Sequence, residues 1–201
     1  GTCESEVVDS SARAWELLEL WRKAEWVDLL ALPELDVVAV EWRKSEGHSC
    51  AAVLRSDLLE NYNDVLKALF AADIKKNTHD LKPLLSRLLE EGIQGLGFGF
   101  DTALAAYLLD PTAGSYELEK LAVSHFNFEV AKAKDTYLST GAFSPLSDQG
   151  EVMGALLSHC ALIGALTDTL TQRLKELDMW ELYQTVELPL CTVLAEMEVE
   201  G

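Results

Sequence analysis

The apolar residues of this 201-residue chain change their period near Ser56, and that change limits the folds open to it. Before it come three short apolar runs, WVDLLAL (26–32), DVVAVEW (36–42) and SCAAVL (49–54). Pro33-Glu34 separates the first from the second and RKSEGH the second from the third, so the spacing predicts an antiparallel meander of three strands. After Ser56 the pattern becomes helical. SDLLENYNDVLKALFAA opens on a capping serine and carries a stripe of Leu58, Leu59, Tyr62, Val65, Leu66 and Leu69. A meander followed by alternating helices and strands predicts an α/β fold, a mixed sheet with helices packed on it.

The remaining elements follow from the same periodicities. Asp9-Ser10-Ser11 caps a helix over ARAWELLELWRKAE, with Ala14, Leu17, Leu18 and Trp21 facing inward. A short fourth strand is expected around Ile74. DLKPLLSRLLEEG (80–92) is a helix with Asp80 at its N-cap, Pro83 in its first turn and Gly92 at its C-terminal cap. LGFGF (96–100) gives a fifth strand and DTALAAYLLD (101–110) the helix after it. YELEKLAVSHF (116–126) is a short helix, and the punctuated stretch 131–150 reads as a loop or weakly ordered insertion. One long helix is expected from Gln149 to Leu177, with Val152, Leu156, Ala161, Ile163 and Leu170 apolar. A final helix runs from Met179 to Glu198. The Met and Trp residues fall mostly within these elements and are read as core.

Charge bounds the function. Sixteen Lys and Arg face 34 Asp and Glu, a net charge of −18. Such a surface repels phosphates, and the one adjacent lysine pair, Lys75-Lys76, offers no basic patch, so non-specific nucleic-acid binding by this chain is disfavoured. The apolar runs, such as Ala103 to Leu109, are too short to span a bilayer, and GTCESEVVDSS has neither region of a signal peptide. Cys3, Cys50, Cys160 and Cys191 form no CxxC, which favours reduced, buried thiols in a cytoplasmic compartment. His48, His79, His125 and His159 have no zinc spacing. His159-Cys160 is no catalytic dyad, because adjacent helical residues point about 100° apart. In FGFDTALAAYLLDP, Asp101 stands where a strand hands over to a helix, and is read as the cap of that helix.

KAEWVDLLALPELD, DLKPLLSRLLEEGIQGLGFGFDTALAAYLLDP, YELEKLA and LYQTVELPLCTVLAEMEVEG follow one another in an order that resembles the 3′–5′ proofreading exonuclease domain of bacterial DNA polymerase I, family A. The resemblance covers nearly the whole chain as a single domain, residues 1–201. It implies a ribonuclease H-like fold with a five-stranded mixed sheet, and a C-terminal helix (about 179–201) leading toward a polymerase domain. Members of that family cleave phosphodiesters with two divalent metals, held by clustered carboxylates. Their Asp-x-Glu falls here on Leu30 and Leu32, the aspartate of Asn-Leu-Lys-x-Asp on Leu84, and the aspartate of Tyr-x-x-x-Asp on Cys160. The resemblance therefore implies a vestigial site with no catalytic residue, no metal and no cofactor. It implies a structural domain of a DNA-replicating or DNA-repairing polymerase, a nucleotidyltransferase, whose partner is the polymerase domain of the same chain and which meets DNA through it. The chain is expected to be a fragment of that larger protein, with no membrane partner.

Two other functions compete with that one. An active exonuclease would need surrogate ligands, for which Glu34, Asp36 and Asp80 are the candidates, although Glu34-Leu35-Asp36 beside Pro33 also reads as a polar hairpin turn. A non-catalytic module gripping DNA or a partner would need a basic or aromatic stripe.

Overall fold

The computed structural model describes the backbone of residues 2–201 and the side chains from residue 4 onward. Six strands form one mixed sheet in the order β1-β4-β3-β2-β5-β6. The expected meander is its centre: β2 (Val27–Ala31), β3 (Val37–Ser45) and β4 (His48–Arg55) pair antiparallel in sequence. β5 (Lys76–Thr78) and β6 (Phe98–Asp101) extend the sheet in parallel beyond β2. The sixth strand, β1 (Thr2–Val7), is one more than the sequence predicts and pairs in parallel with β4 at the far edge. An edge strand has one free flank and tolerates charge, so TCESEV carries no apolar signature.

The sheet separates two apolar clusters. On one face α1 (Ser11–Lys23) and α2 (Tyr62–Leu69) pack Leu17, Leu18, Trp21, Leu66 and Leu69 against Val38, Val40 and Leu54. On the other, α4 (Thr102–Leu109), α5 (Leu118–Phe126) and α6 (Gln149–Glu176) cover Leu30, Leu32, Ala39 and Phe100. α3 (Leu81–Glu90) lies at the edge between them. Burying apolar side chains on both faces is the main source of stability, at roughly 25 cal/mol per Å² removed from water.

Several expectations need correction. α2 begins at Tyr62, not Ser56: residues 56–61 form turns, with Asn61 in the left-handed region (φ 56°), and Leu58 is consequently exposed. The fourth strand starts two residues after Ile74. Residues 131–150 lack long elements but are packed, with Thr136, Tyr137 and Ala142 buried. Trp15, Trp26 and Met197 are exposed rather than core, as is Ala161 on α6. α6, at 28 residues, is long and apolar enough to cross a membrane by length and composition. Its apolar face is spent inside the fold, where Leu156, Cys160, Ile163, Leu166, Leu170 and Leu174 are fully buried.

The C-terminal segment is helical but not uniform. α7 (Trp180–Leu182) passes through a π-turn over Tyr183–Glu187 into α8 (Leu188–Glu200). Pro189 has no N–H to offer the carbonyl one turn back, and the Leu188 N–H reaches the Tyr183 carbonyl across the wider turn.

Candidate functional site

Residues two apart on a strand share a face, so Leu30 and Leu32 both point to the α6 side of β2. α3 brings Leu84 to the edge of the sheet beside them, where it packs against the cluster of the opposite face. The three leucines, with Pro33, Leu35 and Pro83, wall a cleft of about 360 Å³ between the β2–β3 turn and α3. Leu30 and Leu32 are buried and Leu84 half-buried. Cys160 is not in the cleft wall. It packs beneath β2 and β3, with Sγ 3.5 Å from the Asp28 carbonyl and 3.7 Å from that of Ala39. Its thiol is fully buried, as is most of Cys191; Cys50 is half-buried, and the expectation for Cys3 lies outside the described side chains.

Of the three surrogate carboxylates, the cleft gathers one. Asp80 stands in its wall. Glu34 is exposed and lies 3.6 Å from Arg87, and Asp36 is exposed at the base of the hairpin turn. Leu35, at φ 62°, makes that turn. Among the described residues no group of three or more His, Cys, Asp or Glu is placed to hold a metal ion.

Asp80 occupies the N-cap position of α3 in a left-handed conformation, but its side chain caps nothing. Asp101 does so instead. Its Oδ1 accepts from the backbone N–H of Asp80 (2.8 Å) and Oδ2 from Leu81 (3.0 Å), capping α3. Oδ1 also accepts from Ala103 (3.0 Å) and Leu104 (3.3 Å), capping α4. One buried carboxylate thus answers the first turns of two helices. Burial raises its pKa, against the opposing pull of those four N–H groups. Next to it His79 is held at Nδ1 by the Thr102 hydroxyl (2.7 Å), and burial lowers its pKa to about 4.

A second, half-buried acid went unremarked in the sequence. Asp28 shares the α6 face of β2 with Leu30, and its Oδ1 lies 3.3 Å from the Asn77 amide nitrogen. Burial lifts its pKa to about 7, with Glu41 and Asp168 adding to the rise and Asn77 opposing it. α6 passes so close that a Cβ at Gly164 would stand 2.5 Å from Asp28 Oδ2. The acid alternating with leucines in WVDLLAL was its one visible signal. His159 is fully buried, its Nδ1 2.6 Å from the Tyr137 hydroxyl and its Nε2 2.7 Å from the Ala131 carbonyl, which explains it as an anchor for residues 131–137.

The fold is that of a ribonuclease H-like exonuclease domain. A sequence model of the family described as "DNA polymerase I, ribonuclease H-like domain" matches residues 34–166, and the chain belongs to that family. DNA polymerase I of Geobacillus stearothermophilus is 32% identical over 127 residues, 63% of this chain and 14% of that protein. The chain thus spans about a seventh of such a relative. Among solved structures, the POL domain of Pol1 from M. smegmatis, in complex with DNA primer-template and dNTP, superposes with a TM-score of 0.74 at 22% identity, covering 100% of this chain and 32% of that one. Escherichia coli RNase D, an exoribonuclease, superposes at 0.72 with 12% identity, over 98% of this chain and 51% of that one. Both share the fold.

Proposed function

We propose that this chain is a catalytically inactive 3′–5′ exonuclease-fold domain that braces the polymerase domain of a DNA polymerase I, acting in replication and repair in the cytoplasm. The carrying observation is the chemistry of the cleft. Two-metal phosphodiester cleavage needs anionic oxygens around hard cations. Leu30, Leu32 and Leu84, at the positions where the resemblance expects carboxylates, present hydrocarbon instead. The surrogates do not converge, since Glu34 and Asp36 stay on the outer turn.

The bracing role is supported by the C-terminal arm. Leu182, Val186, Leu190, Val193, Leu194 and Met197 are all at least 40% exposed and recur at helical spacing, an apolar stripe with no partner among the described residues. Stripes of this kind mark interaction faces. The test is a 3′-labelled single-stranded oligonucleotide incubated with Mg²⁺ or Mn²⁺, alongside Mn²⁺ titration calorimetry. An intact label and no binding heat support the reading. Stepwise label release with micromolar metal binding overturns it. For the arm, Leu190→Asp with Met197→Asp is expected to weaken capture of the separately expressed polymerase domain without unfolding this one.

A further inference from the structure

The cleft walled by the three leucines also carries a polar group without a partner. Ser86 lies on the same stripe of α3 as Pro83 and Glu90, all three in the cleft wall. It is only 6% exposed, and its hydroxyl has no hydrogen-bond partner among the described residues. A buried hydroxyl left unmade is costly, and such groups in native proteins have a reason. The walls around it are apolar, from Leu30, Leu32, Leu35 and Leu84. The mouth is acidic: Asp80, Glu90 and Glu198 stand in the wall against two cations, Arg87, already held by Glu91 at 2.6 Å with Glu34 and Glu90 at 3.6 Å, and Lys82, held by Glu198 at 2.7 Å.

We propose that this cleft is a docking site for a protein segment in which an apolar side chain is flanked by Lys or Arg. The inference rests on reading the cleft as catalytically inactive, and gives that cleft an occupant. The apolar side chain enters between Leu30, Leu32 and Leu84. A main-chain group of the segment meets the Ser86 hydroxyl. One flanking cation meets Glu90, and the other takes the place of Lys82 on Glu198; both carboxylates are more than half exposed. Charge complementarity selects this occupant: nucleotides and acidic peptides would bring like charge to a carboxylate rim on a chain of net charge −18.

The test uses the whole chain with methyl-labelled leucines and three capped peptide probes, Lys-Leu-Leu-Lys, Glu-Leu-Leu-Glu and Lys-Gly-Gly-Lys, with deoxyadenosine monophosphate as a fourth probe. The first peptide is expected to shift the methyl signals of Leu30, Leu32 and Leu84, and to bind about tenfold more tightly than either other peptide. Glu90→Lys, an exposed change that leaves the fold intact, is expected to erase that preference. Ser86→Ala is expected to weaken binding with the preference retained. Equal shifts from the acidic peptide, no shifts at these methyls, shifts confined to the α8 stripe, or preferential binding of the nucleotide would each overturn the docking site. Label release in the nuclease assay is a separate readout, which tests the inactive reading whatever the peptides do.

Discussion

The hydroxyl of Tyr183 closes both backbone groups of Asp101, accepting from its N–H at 2.7 Å and donating to its carbonyl at 2.9 Å. The side chain of the same aspartate caps α3 and α4. The C-terminal arm, the end of β6 and two helix starts are therefore joined at one residue. Trp180 stacks on the Tyr183 ring at 6.0 Å between centroids, and Phe100 packs tilted against it at 5.0 Å.

Asp101→Ala removes both caps at once. Four backbone N–H groups lose their acceptor, so the expected loss is about 2–4 kcal/mol by urea denaturation. A loss no larger than that of an ordinary exposed cap would mean that only one helix depends on Asp101.

Tyr183→Phe keeps the stacked ring and deletes the hydroxyl. It is expected to cost about 1–3 kcal/mol. Amide exchange should quicken at Asp101 and along α7 and α8 while β2–β4 stay protected. Uniform acceleration across the sheet would contradict the junction.

Two half-buried groups act against each other in acid. Asp28 has its pKa raised from 3.8 to about 7, so the folded state binds more protons in that window and stability falls as pH rises through it. His79 has its pKa lowered from 6.5 to about 4, so the unfolded state binds more protons and stability falls as pH drops through that window. Between about pH 4 and 6.5 the two nearly cancel. Asp28→Asn removes the first alone. The variant is expected to be more stable than the parent at pH 8, and to lose on the order of 2–3 kcal/mol between pH 7 and 4.5, a slope the parent lacks. Parallel pH profiles would show that Asp28 is ordinary in the folded chain.

Introducing Leu30→Asp, Leu32→Glu, Leu84→Asp and Cys160→Asp together tests the positions assigned by resemblance. Without metal, buried like charges should lower the melting temperature. Mn²⁺ at a hundredfold its dissociation constant should then return about 2.7 kcal/mol, while the parent is unmoved. A variant that gains nothing from Mn²⁺ would contradict that assignment.

The meander was legible because β2, β3 and β4 are short apolar runs with breakers between them. β1 was not, since its pairing with β4 at the sheet edge supports TCESEV without an apolar pattern. The start of α2 was misplaced because Ser56 has the chemistry of a cap, while Asn61 makes the turn that sets the helix. Asp101 was recognisable as a cap of α4 from its neighbours in sequence. Its hold on α3 spans twenty residues and its contact with Tyr183 spans eighty-two, distances no local pattern encodes. Leu30, Leu32 and Leu84 were singled out by resemblance, and the fold brings them into one cleft. Cys160 stayed outside its wall because α6 presents it to the underside of β2.

The π-turn over Tyr183–Glu187 holds one residue more than an α-helical turn, which rotates everything after it by about 100°. It acts as a phase setting. With it, Tyr183 faces inward to Asp101 while Leu190 and Met197 face out. Excising a single residue there would leave every side chain chemically intact and still swing the apolar stripe a quarter-turn and more off its heading. The heading of the apolar stripe is thus written in the length of one turn, not in the identity of the residues that form it.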